Sequence, residues 1–176
     1  CEECKIDSIA QSWATISKAG DNDKKYIALE SLENHLVDKE NGIIKLLDPP
    51  FNKGSIDPGY IKSYLPGIRE NGGQYTHGAK ATEFFRMINP IEHSKTKDSA
   101  NKYKIEPYVI AADIYGQGSL AGRGGWTWYT GSSSWMYEAG IKYILGLNIV
   151  RDFLRVKPCI PKEWKEYSIK YRYGNS

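Results

Sequence analysis

The chain has 176 residues, 40% hydrophobic and 26% charged, with a net charge of +3. This composition supports a packed core and excludes a disordered chain. The small positive excess, with no Lys/Arg block, gives no nucleic-acid partner, and no window reaches the roughly 18 apolar residues of a membrane span.

Aromatic residues make up 12% of the chain, dominated by 13 Tyr and 5 Trp. Such side chains pair an apolar face with a polar tip, which suits stacking on sugar rings as well as ordinary core packing. The opening residues CEECKIDS are charged and lack the apolar run of a signal peptide, so a cytoplasmic location is expected. Three cysteines, Cys1, Cys4 and Cys159, argue against a disulfide framework. The Cys1-x-x-Cys4 pair has metal or redox spacing, but no second Cys/His pair completes a zinc site.

In chain order, residues 7–19 predict an amphipathic helix capped by Asp7 or Ser8, with Ile9, Trp13 and Ile16 on one stripe and Gly20 as the stop. Residues 22–38 predict a second helix burying Tyr26, Leu29, Leu32 and Leu36, joined to the first as an antiparallel hairpin. Residues 41–73 are rich in Pro and Gly and lack a helical period, as functional segments often do. A third helix is expected over residues 74–88, burying Tyr75, Ala79, Phe84, Phe85 and Ile88 and ending at Asn89-Pro90. A fourth covers part of residues 97–115, with Pro107 at a start or kink. A Gly/Trp-rich loop follows, GRGGWTWYTGSSSW over residues 122–135. The serines of this loop cap a fifth helix over residues 132–147. Residues 150–160 and 167–174 then alternate like strands.

The fold class is therefore mainly α. Residues 1–147 read as helical hairpins, fitting part of an α/α toroid, and residues 148–176 as a small β segment. Another helical bundle would have the same periodicity.

Two constellations carry polar chemistry. The first is Arg69-Glu70-Asn71-Gly72-Gly73-Gln74-Tyr75-Thr76-His77, read as a turn into the third helix. Glu70 could accept hydrogen bonds from sugar hydroxyls, and His77 could offer an N–H or a positive charge to an anion. Equally, Glu70 could cap the helix and His77 could partner a core tyrosine. The second is Thr130-Gly131-Ser132 before a helix, where glycine and free N–H groups admit an oxyanion. Trp126 and Trp128 point to opposite faces of an extended segment, lining a cleft or wedging the core. His35 reads as solvated and His93 as a loop residue. Cys159 reads as buried packing in a strand. No third ligand completes a metal site.

The segments IDSIAQSWA, HLVD, LLDPPF, DPGYIKSYLPGIRENGGQYTH, INP, YKIEPYVIAADIY, GRGGWTWYTGSSSWMY and LRVKPCIPKEW occur in this order. Together they resemble the C-terminal catalytic part of glycoside hydrolase family 94, which includes cellobiose, chitobiose and β-1,2-oligoglucan phosphorylases and the C-terminal region of cyclic β-1,2-glucan synthases. The DPPF and DPGYIKSYLPGIRENGGQYTH stretches look closest to the β-1,2-glucan branch. The resemblance implies an (α/α)6 toroid with a small C-terminal β layer. It implies inverting phosphorolysis, with inorganic phosphate as co-substrate, no cofactor, and a β-glucan oligosaccharide as partner. By the same resemblance His77, Thr130 and Gly131 contact phosphate, Glu70 binds the donor sugar, and Arg69 and Tyr64 face the acceptor sugar. Tyr60 stands where cellobiose-specific members carry an acidic residue.

The family's general acid lies in an Asp-Trp-Asn-Asp-Gly type motif that this chain lacks. The expectation is a C-terminal fragment without turnover of its own, exposing helix faces that a complete toroid buries and therefore prone to self-association. Two other readings predict different behaviour. A non-catalytic glycan-binding protein would bind oligosaccharide with no phosphate requirement. An inverting hydrolase would need Glu70 as its base and would release free sugar.

Overall fold

A computed structural model describes residues 2–17, 21–55, 57–75 and 82–174. Its α-helices are α1 (Ser8–Ile16), α2 (Asn22–Leu36), α3 (Thr82–Ile88), α4 (Pro90–His93), α5 (Lys97–Tyr103) and α6 (Thr130–Glu138). A π-helical segment, Ala139–Ile144, prolongs α6. The strands are short: β1 (Ile6–Asp7), β2 (Val37–Asp38), β3 (Ile43–Ile44), β4 (Leu47–Asp48), β5 (Gln74–Tyr75), β6 (Asp113–Ile114), β7 (Leu147–Val150) and β8 (Phe153–Val156). They pair antiparallel as β1–β4, β2–β3, β5–β6 and β7–β8.

The first two helices begin where their caps dictate. The Asp7 carboxylate accepts from the Ala10 N–H at 2.9 Å, and Asp21 from Lys24 at 2.8 Å. α1 packs on α2, but not through the expected stripe. Ile9 and Trp13 face outward, Trp13 at 52% exposure, while Ser8 and Ser12 are buried. The buried side of the helix thus carries small serines, and the bulky side is left uncovered. α2 buries Ala28, Leu32 and Leu36, with Leu29 half-buried; Tyr26 and Ile27 are exposed.

Two apolar clusters form the core. One joins Leu32 and Leu36 to Ile44, Phe84, Ile88 and Met136; the other holds Ile43, Tyr103, Ala111 and Ile114. They meet across β3, whose alternating side chains send Ile44 into the first and Ile43 into the second.

The third helix is shorter than residues 74–88. Gln74 and Tyr75 form β5 against β6, in the register Gln74–Ile114 and Tyr75–Asp113. The described part of α3 begins at Thr82, and Ala79 lies outside the described residues. Asn89 ends α3 and its side chain caps α4, with Pro90 in the first turn, where a missing N–H costs nothing. His93 is the last residue of α4 and not a loop residue. Its ring stacks on Tyr103 at 4.6 Å, and burial holds its imidazole below the usual pKa. α5 has a capping box, Thr96 with Ser99, and ends at the left-handed Lys104. Pro107 follows in the loop.

At the C-terminal end residues 150–160 do not form one strand. β7 and β8 make a hairpin that turns at Arg151-Asp152, with Arg151 at φ 55°. Residues 167–173 contain no regular element, and Cys159 is exposed outside any strand.

Candidate functional site

Residues 59–75 position the first constellation. After the 3-10 turn Gly59–Ser63, the chain folds back so that the Gly67 N–H bonds the Asn71 carbonyl at 2.7 Å, and the Gly116 N–H bonds the Gly67 carbonyl at 2.7 Å. Asn71 is fully buried. Its Oδ1 accepts from the Phe51 N–H at 2.7 Å, and its Nδ2 donates to the carbonyls of Phe51 at 2.8 Å and Tyr64 at 2.7 Å. Gln74, also buried, accepts from the Ile44 N–H at 2.9 Å. These two side chains are therefore spent on backbone groups and are not available to a sugar. No helix follows the turn directly, so Glu70 does not cap one: β5 intervenes.

Arg69 sits at the apex of the turn with φ 50°. Its guanidinium lies 3.5 Å from the centroid of the Trp126 ring and donates to Tyr64 Oη at 3.0 Å. The Tyr64 ring is 5.2 Å away and Tyr60 packs edge-on against Tyr64. Arg69 and Tyr64 thus stand together, and Trp126 joins them from 57 residues downstream. Trp126 also touches Tyr129 at 5.4 Å, the residue before α6. Thr130 and Gly131 are the first two residues of α6, both exposed, with no side-chain cap. The helix begins at Thr130 and not at the serines, so the first-turn N–H groups belong to the Thr-Gly-Ser run itself. Trp128, at φ 64°, points its indole N–H to Glu106 at 3.3 Å, away from the Arg69 contact.

His77 lies outside the described residues. Two residues before it, Tyr75 pairs with Asp113. Asp113 in turn takes the Trp126 N–H on Oδ1 at 2.7 Å. An isolated bridge joins Ile114 to Gly124. β6 therefore lies between the segment leading to His77 and the segment leading to Thr130.

Asp113 is the site residue that the sequence reading missed. It is 2% exposed, and among the described residues its Oδ2 has no hydrogen-bond partner, nor has the buried Oε2 of Glu70. Gly125 is required beside it, because a Cβ there would lie 2.6 Å from both carboxyl oxygens. The one signal in the sequence is an acid inside the apolar run VIAADIY. Burial pushes the Asp113 carboxyl up; the Trp126 N–H and the Arg69 charge pull it down, and Glu70 raises it, with a net upward shift. A raised acid stabilises the fold fully below its unfolded pKa of about 3.9, and that contribution is lost as pH rises through the folded value. Asp113→Asn removes the ionisation. We expect its melting temperature to fall less than that of the natural chain between about pH 4 and pH 7. Equal slopes in thermal melts at the two pH values would contradict this.

A cavity of about 830 Å3 opens elsewhere, lined by Lys39, Arg86, His93, Lys102 and Glu163 among others, and by none of the predicted site residues. Its charges are largely satisfied: Arg86 pairs with Glu163, and Lys102 donates to Asn41 at 2.7 Å.

The pattern of the glycosyl hydrolase 94 superfamily catalytic domain matches residues 1–146, which contain every residue of this arrangement. The chain belongs to that superfamily. It is similar to the cyclic beta-(1,2)-glucan synthase NdvB of Rhizobium meliloti (strain 1021), at 50% identity over 99% of this chain and 7% of that protein. It also resembles the solabiose phosphorylase of Paenibacillus borealis, at 29% identity over 93% of this chain and 23% of the relative. The N,N'-diacetylchitobiose phosphorylase of Vibrio proteolyticus is 26% identical over 96% of this chain and 22% of its own length. The chain thus spans less than a quarter of these family 94 relatives. Its helix-rich fold with small sheets agrees with the mainly α expectation. No helix among the described residues is long and apolar enough to cross a membrane.

Proposed function

We propose that the chain is the C-terminal portion of an inverting β-glucan phosphorylase or cyclic β-1,2-glucan synthase, built as part of an (α/α)6 toroid. In this reading it holds inorganic phosphate and a glucosyl unit. The observation that carries the proposal is the Arg69–Tyr64–Trp126 cluster placed beside the start of α6, in a chain 50% identical to a glucan synthase.

In this reading each residue has a chemical task. Thr130 and Gly131 offer a hydroxyl and first-turn N–H groups to phosphate, and His77 adds an imidazole. Glu70 accepts hydroxyls of the donor glucosyl unit. Arg69 and Tyr64 receive the acceptor sugar. Phosphate held in this way attacks the anomeric carbon from the face opposite the leaving oxygen, inverting its configuration. The proton for that oxygen comes from a carboxylic acid that this chain does not supply, so the chain alone binds and does not turn over. The exposed Ile9, Trp13, Tyr26 and Ile27 of the first two helices support the partial-toroid reading, since further helices would cover them. Without that cover, self-association is expected. A cytoplasmic site of action is part of the same proposal.

The test is calorimetric titration of the chain with β-1,2-linked gluco-oligosaccharides and with inorganic phosphate, followed by product analysis. The reading predicts binding of both and no sugar phosphate released. Robust release of glucose 1-phosphate would overturn the claim of inactivity, and release of free glucose would make the chain a hydrolase. Oligosaccharide binding with no phosphate affinity would make it a glycan-binding protein.

A further inference from the structure

We infer that Asp113 is a positioning residue for the acceptor-sugar contacts, acting through Trp126 to hold the Arg69 guanidinium in place. The inference rests on the functional reading above.

The 125–126 backbone is stapled to β6 and the residue before it at three points. The Trp126 N–H donates to Asp113 Oδ1 at 2.7 Å, the Ala112 N–H to the Trp126 carbonyl at 2.8 Å, and the Gly125 N–H to the Asp113 carbonyl at 3.0 Å. Only the first uses a side chain. It fixes the start of the Trp126 side chain, whose ring carries the Arg69 guanidinium at 3.5 Å. The Tyr64 hydroxyl holds the guanidinium from another side. Arginine has five N–H donors in one plane. Among the described contacts one of them is spent on Tyr64, which leaves an edge for a pair of sugar hydroxyls. A guanidinium already immobilised between an indole and a phenol loses less rotamer freedom on binding than a free one.

A purely structural acceptor for one backbone N–H would not need a second carboxyl oxygen. Here Oδ2 is buried and has no partner among the described residues, and the carboxylate lies in electrostatic reach of Arg69 and Glu70. Asp113 therefore faces the binding turn, as well as the loop it fastens.

The variants separate these roles. Asp113→Asn keeps an oxygen for the Trp126 N–H; Asp113→Ala removes it. In calorimetric titrations with a β-1,2-linked gluco-oligosaccharide, Asp113→Ala should weaken binding about tenfold and Asp113→Asn by less than about threefold. Asp113→Ala combined with Arg69→Ala should bind no worse than Arg69→Ala alone, because both remove the same contact. Inorganic phosphate affinity should be unchanged in each variant. Trp126→Leu keeps the backbone staples and removes the ring, so it should reproduce the Arg69→Ala loss even if Asp113→Ala fails to fold. Natural chain that binds with Asp113→Ala and Trp126→Leu binding equally well would overturn this inference alone. Additive losses from Asp113→Ala and Arg69→Ala would do the same. Natural chain that binds no oligosaccharide would overturn the functional reading and the inference with it.

Discussion

Asn71→Ala should destabilise the chain by roughly 3 kcal/mol, because a buried polar group left without its partner costs about 1–3 kcal/mol. The substitution strands the Phe51 N–H and deprives the carbonyls of Phe51 and Tyr64 of their shared donor. Asn71 is fully buried, so water does not replace it readily. Asn71→Asp should be at least as damaging. It keeps the acceptor but loses both donated bonds and places a charge in the core. At this chain length the expected loss lowers the melting temperature by about 10 °C. Urea denaturation is the direct measurement, and a loss below about 1 kcal/mol would contradict the account. Because Asn71 holds the Tyr64 carbonyl, surviving folded protein should also bind oligosaccharide more weakly.

Gly67→Ala should cost a similar amount for a different reason. Gly67 has φ +84°, a backbone region that costs an L-residue about 1–2 kcal/mol. An added Cβ would also lie 2.6 Å from the Gln117 Cβ and 2.7 Å from the Gln117 N, which is backbone and cannot swing away. Forcing an atom into packed space typically costs about 1–3 kcal/mol. The sum is roughly 3 kcal/mol. The displaced segment carries the 2.7 Å bond from Gly116 to Gly67, so the turn bearing Arg69 should separate from the strand bearing Asp113. Gly59→Ala is the matched control. Gly59 also has positive φ, +75°, but open space around it, so it should show the backbone cost alone. Equal losses at the two positions would mean that the close approach at Gln117 contributes nothing.

Features set by neighbours in sequence were legible. Asp7 caps α1 as its side-chain chemistry dictates, and α2 starts at the predicted Asn22. Asn89-Pro90 marks the end of α3. Features set by distant partners were not. Gln74 and Tyr75 have a helix-compatible pattern, yet β6 captures them as a strand from nearly forty residues away, and Gln74 spends its amide on Ile44. Ile9 and Trp13 share a face as read, but that face is exposed, and the buried positions of α1 are Ser8 and Ser12. The hairpin of β7 and β8 was missed in position because Arg151 adopts a left-handed turn that nothing in its residue type announces.

The candidate site divides along the same line. Arg69 and Tyr64 were named from their motif, five residues apart, and they do touch. Trp126 was read as lining a cleft or wedging a core; its ring is half exposed and carries Arg69 on one face. Asp113 was passed over because it sits in an apolar run. Its significance comes from where β6 runs, between two segments that no local pattern connects.

The central claim is that the imidazole at position 77 and the Thr130-Gly131 turn hold one inorganic phosphate. The most direct measurement is the phosphate dissociation constant of the chain, by calorimetry or 31P line broadening, for the natural sequence and for His77→Ala, Thr130→Ala and the double variant. Each single change should weaken phosphate binding about tenfold or more, and the two effects should be coupled, with the double variant losing less than the product of the two. Phosphate binding unaffected by either substitution, or full additivity between them, would place the two groups on separate sites and contradict the account.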